Sequence, residues 1–108
     1  MKPLLGVNSR LEFLNFDQPA SIVFQNRSFC FTGKFAFGTR LHCERAAVER
    51  GGRCARRPVR ETDYLVIGSL GGHGSKVHEI ADLRRRGSPV QVIEEKLWAK
   101  AVAETKPF

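Results

Sequence analysis

The sequence is short of most features that announce a particular chemistry. Its three cysteines, Cys30, Cys43 and Cys54, are odd in number and include no Cys-x-x-Cys pair, so they indicate neither a disulfide framework nor a zinc knuckle. They read as small hydrophobes in or near a core. No run approaches the roughly 20 apolar residues needed to cross a bilayer. The opening Met1-Lys2-Pro3-Leu4-Leu5-Gly6-Val7 is too short for a signal-peptide core and has no small-residue cleavage site. The expectation is a cytoplasmic protein without a membrane partner, nucleoid-associated if bacterial. His42, His73 and His78 have no metal-like spacing, and no paired carboxylates form an acid–base couple; Asp63 beside Tyr64 looks like a loop-to-strand boundary. Neither an internal repeat nor a low-complexity segment is present. No catalytic residue, metal or cofactor is therefore expected, and an enzymatic role would need another domain of a parent chain.

Acidic residues are scarce as well. Eleven Asp and Glu stand against 18 Lys and Arg, leaving a net charge of +7 on 108 residues. A small domain this basic is drawn to polyanions, although solubility alone is the plainer reading of such a surface. The length suits one domain with one core.

Residues 1–20 look unlike the rest. Leu11 to Phe16 is apolar without a clear period, and Asp17-Gln18-Pro19-Ala20 signals a turn or linker, so 1–20 is expected to be a tail or arm, with the domain proper over 21–108. Ser21-Ile22-Val23-Phe24 is a short apolar run and Gln25-Asn26-Arg27 a turn. Ser28-Phe29-Cys30-Phe31-Thr32 reads as a strand ending at Gly33. Thr39 suits a helix N-cap. Cys43, Ala46 and Ala47, with Leu41 and Val48 seven apart, give a helix over 40–50, stopped by Gly51-Gly52.

Arg53-Cys54-Ala55-Arg56 is a weak second strand, and Tyr64-Leu65-Val66-Ile67 reads as a strand buried on both faces. A glycine-rich loop from Gly68 to Gly74 leads to a helix marked by Val77, Ile80 and Ala81. Val90 to Ile93 is the last strand. Glu94-Glu95 then opens a helix carrying Leu97, Trp98, Ala101 and Val102, its acidic start suiting the helix dipole. The order β-α-β-β-α-β-α argues for a mainly parallel sheet with helices on both faces. The loop before the second helix invites a P-loop reading, but the order here is Gly74-Ser75-Lys76, whereas that motif needs Gly-Lys-Ser/Thr.

Five pieces in register carry a family resemblance: Phe31-Thr32-Gly33, Gly51-Gly52, Thr62 to Gly68, Gly74-Ser75-Lys76 and Trp98. Together they resemble a BRCT domain over about residues 27–103. The nearest patterns are those of bacterial NAD-dependent DNA ligase and the large subunit of replication factor C. The resemblance implies an α/β, three-layer fold: a four-stranded parallel sheet in the order 2-1-3-4, with about three helices, one on one face and two on the other.

It also implies a site. In the replication factor C type, a 5′ phosphate is held by a Thr-Gly after the first strand, an Arg opening the first helix and a Lys opening the second. These positions fall on Thr32, Gly33, Arg40 and Lys76. Their chemistry fits: glycine lets the backbone come close, a threonine hydroxyl can donate to phosphate, a guanidinium grips it through two bonds and an ammonium acts as a point charge. Lys34, Arg53 and Arg57 could add contacts to a DNA backbone, whereas Arg84-Arg85-Arg86 suits a helix C-terminus without any partner. The expectation is a non-catalytic, monomeric module for 5′-phosphorylated duplex DNA ends or nicks. The alternative is a module that reads a phosphopeptide or another protein of DNA repair.

Overall fold

Four short strands form where apolar or β-branched runs are cut off by glycine or polar turns. The structure, a computed structural model, describes residues 16–72 and 76–108. In chain order it holds β1 (Ser28–Thr32), α1 (Arg40–Glu49), β2 (Arg53–Ala55), β3 (Tyr64–Ile67), α2 (Lys76–Arg85), β4 (Gln91–Glu94) and α3 (Glu95–Glu104). The strands form one sheet in the order β2-β1-β3-β4, all pairs parallel, as expected. The apolar run Ser21–Phe24 is not a strand; Phe24 instead stacks its ring on Phe29 at 5.3 Å.

The pleat sends alternate side chains to opposite faces. Phe29, Phe31, Tyr64, Val66 and Ile93 meet α1 and α3 through Cys43, Ala46, Ala47, Trp98 and Val102. Cys30, Leu65, Ile67 and Val92 meet Ile80 of α2. One face is thus aromatic under two helices, and the other is aliphatic under one. Rings dominate the first: Phe29 stacks on Tyr64 at 4.9 Å, and Trp98 meets Phe31 edge-on at 5.1 Å.

Helix α1 begins at the Thr39 cap. Thr39 Oγ1 accepts from the His42 N–H (3.1 Å), and His42 Nδ1 accepts from the Thr39 N–H (3.2 Å). Its buried stripe is Cys43, Ala46 and Ala47, small enough to bring the helix close to the sheet. Leu41 and Val48, which the spacing assigns to the apolar pattern, are exposed at 61% and 54%. At about 100° per residue the two lie together, but on the side of the helix opposite that stripe.

Two long-range fastenings complete the frame. Arg50, just past α1, donates from Nε to the carbonyls of Val102 (3.2 Å) and Thr105 (2.7 Å), and from Nη1 to that of Ala46 (2.9 Å). It thereby closes the C-terminal ends of α1 and α3 together, where a cation suits both dipoles. Of the arm expected over 1–20, residues 1–15 lie outside the described residues. Phe16 packs against the aliphatic cluster, and Asp17 runs beside β4. The Asp17 N–H donates to Val92 O (2.7 Å), its carboxylate accepts from the Val92 N–H (2.8 Å), and the same oxygen pairs with Arg84.

Candidate phosphate-binding rim

The chain leaves β1 through α1 toward β2, and leaves the neighbouring β3 through α2 toward β4, the two helices lying on opposite faces. The crevice between the carboxyl ends of β1 and β3 is therefore a topological switch point, the place where open α/β sheets bind ligands. Two loops form its lips, and backbone bonds lace them together. The Gly68 N–H donates to Thr32 O (2.8 Å), Lys34 N–H to Gly71 O (2.7 Å), and Leu70 N–H to Lys34 O (3.0 Å). Glycine at 68 is required by this approach, since an added Cβ would stand 2.2 Å from the Lys34 carbonyl oxygen. Gly33 turns the first lip with φ +95°, a conformation that glycine adopts without strain.

Thr32 is the last residue of β1, on the Cys30 side of the pleat, and is 4% exposed. Gly33 and Lys34 follow on the rim, with the Lys34 stem lying over Gly72. Arg40 opens α1 and is half-exposed. Its Nε pairs with Glu44 (3.3 Å) and its Nη2 donates to Arg56 O (2.8 Å), so the guanidinium is held over the end of β2. Lys76 is placed by its backbone as the first residue of α2, and its side chain lies outside what the structure describes. Arg57, just past β2, reaches Glu79 in the first turn of α2 at 3.1 Å.

The carboxyl rim thus collects Thr32, Gly33, Lys34, Arg40, Arg57 and the start of α2. It does not collect Arg53, which pairs with Ser28 at the amino end of the sheet. Arg84 is engaged with Asp17, and Arg85 and Arg86 with Asp82 (3.2 and 3.3 Å).

Sequence reasoning missed the group that organises the rim. Glu95, read there only as an acidic helix start, is 5% exposed, and its carboxylate accepts from the N–H groups of Ala36 (3.1 Å), Phe37 (2.7 Å) and Ser69 (2.9 Å) and from Ser69 Oγ (2.8 Å). Burial pushes this carboxyl up, but the Ser69, Phe37 and Ala36 hydrogen bonds outweigh burial and hold it below the ordinary glutamate range. The available signal was position: an acidic residue directly after the last strand stands at the level where the other strands release their loops.

Burial disfavours the thiolate form of two of the cysteines. Burial pushes Cys43 up to about 12, with the nearby Glu95 and Glu44 adding to it, and burial does the same to Cys54. Among the described residues no group of three or more His, Cys, Asp and Glu could hold a metal ion.

A comparison with protein families matches residues 19–97 to the BRCA1 C Terminus (BRCT) domain. No individual curated protein matches the chain.

Proposed function

The chain belongs to the BRCT family, and from that membership we propose that it is a DNA-end-binding module whose β1–β3 crevice holds a 5′ phosphate of duplex DNA. Domains of this family serve generally as phosphate- and protein-interaction modules of DNA repair and replication, and they are generally non-catalytic binding modules. The particular likeness to the phosphate-binding domain of the replication factor C large subunit is part of the proposal.

The observation that carries it is the laced switch point with two helix starts and several cations on one rim. In this reading Thr32 and Gly33 form the floor, Lys76 and Arg40 approach from the two helix starts, and Lys34 and Arg57 hold the flanking backbone. Glu44 and the Arg56 carbonyl fix the plane of the Arg40 guanidinium through Nε and Nη2. Arg53 is left out of the pocket, because it stands at the other end of the sheet.

The test is a titration of the full chain with duplex DNA carrying a 5′ phosphate, the same duplex with a 5′ hydroxyl, and a phosphoserine peptide. The phosphorylated duplex is expected to bind about 10-fold more tightly than the hydroxyl form, the value of one charged hydrogen bond. Lys76→Ala removes that margin. Equal binding of the two duplexes leaves only sequence-independent electrostatics and ends the proposal.

One feature favours the second reading, a protein partner. Phe37, Leu41 and Leu70 stand on the same rim and are exposed at 41%, 61% and 63%. Tight binding of the peptide with no phosphate-dependent DNA binding would select it.

A further inference from the structure

We propose that Glu95 is the positioning residue of the rim: its carboxylate fixes the gap between the two lips, and so sets affinity for the terminal phosphate without touching it. The inference rests on the phosphate reading above.

Glu95 sits at the start of α3, directly after the edge strand β4, and belongs to neither lip. It nevertheless bonds to both. Ala36 and Phe37 come from the β1–α1 loop, and Ser69 from the β3–α2 loop. Two residues of the first lip and one of the second thus share a single carboxylate, 58, 59 and 26 residues away in sequence. A negative charge beside an anion site works against the anion, and burying it costs more again. Four donors offset that cost. Their arrangement divides the labour at the rim: the loop amides go to Glu95, while the Lys34 side chain is exposed and that of Arg40 half-exposed. The backbone bonds between Lys34, Leu70 and Gly71 lie next to this clamp, so its release would loosen the lacing. A binding constellation loosened by about 1 Å loses much of its affinity although every contact residue is still present.

The experiment measures the ratio of Kd values for the 5′-hydroxyl and 5′-phosphate duplexes, together with amide hydrogen exchange, on the full chain. In Glu95→Gln, which keeps the size but removes the charge, the ratio should fall about 10-fold, the loss of one charged hydrogen bond's worth of discrimination. Exchange at Phe37 and Ser69 should accelerate together. Arg50→Lys, which loosens the far end of α3, controls for lost stability and should keep the wild-type ratio. An unchanged ratio in folded Glu95→Gln overturns the inference and leaves the phosphate reading standing. A wild-type ratio of one overturns the phosphate reading itself. Should Glu95→Gln not fold, Ser69→Ala removes only the hydroxyl bond. A smaller fall in the same direction supports the inference, and no fall overturns it.

Discussion

The two faces of the sheet are built on different terms. The aromatic face holds Phe24, Phe29, Phe31, Tyr64 and Trp98 in a connected set of ring contacts, closed by α1 and α3 and pinned by Arg50. The aliphatic face holds Cys30, Leu65, Ile67, Val92 and Ile80 under α2, finished by Phe16 and Asp17 from the preceding segment. The contrast teaches where the fold's stability sits. Large stacked rings and a two-helix cover make the first face the foundation. The second is a thinner, aliphatic layer under α2.

Substitutions on each face sharpen that contrast. The largest effect is expected from Phe31→Ala, fully buried between Phe29, Phe35 and Trp98, at about 3–5 kcal/mol in urea unfolding. Ile80→Ala on the other face should cost about 2–3 kcal/mol, toward the low end for such truncations; a greater loss there than at Phe31 would erase the contrast. Arg50→Ala comes next, at about 1.5–3 kcal/mol, because three carbonyls lose a charged donor. Thermal unfolding should place Arg50→Lys between wild type and Arg50→Ala, since an ammonium keeps the charge but cannot reproduce the planar fork.

The matching fastening on the aliphatic face, Asp17, is partly exposed, so Asp17→Ala should cost only about 1 kcal/mol. An Asp17→Ala loss equal to that of Arg50→Ala would show the two faces equally dependent on their ties. The smallest effect is one of pH. Because the folded-state pKa of Glu95 lies below its unfolded value, its contribution is complete above the ordinary glutamate range of about 4.3 and is lost as pH falls through the depressed folded value. The Tm difference between wild type and Glu95→Gln should stay constant near neutrality and shrink only in acid; a difference that shrinks near pH 7 contradicts this assignment.

The local part of this architecture was legible in the sequence. Strands β1 and β3 stand where Ser28–Thr32 and Tyr64–Ile67 announce them, β4 lies one residue later than Val90–Ile93 and takes in Glu94, which the sequence pattern assigns to the helix start, and Thr39 caps its helix. Cys43, Ala46 and Ala47 gave the buried stripe, but Leu41 and Val48 misled, because a seven-residue spacing says that two residues share a side without saying which side faces the sheet. The strand order came from family resemblance, which residue patterns alone do not supply. What escaped was long-range and polar. Glu95 meets Ala36 across 59 residues, Arg50 meets Thr105 across 55, and Asp17 meets Val92 across 75. Such pairs leave no periodic trace, because a hydrogen bond between distant loops is set by the fold and not by its neighbours in the chain.

The parallel arrangement of the strands also bears on how the chain reaches its shape. Every rung joins segments separated by a crossover, and β1 must find β2 some 25 residues later and β3 about 35 residues later before its own ladder is complete. No tight hairpin can nucleate the sheet. Loop closure comes first and its reward later, so refolding should be slow for a domain of this size, with the middle of the sheet forming as one cooperative event.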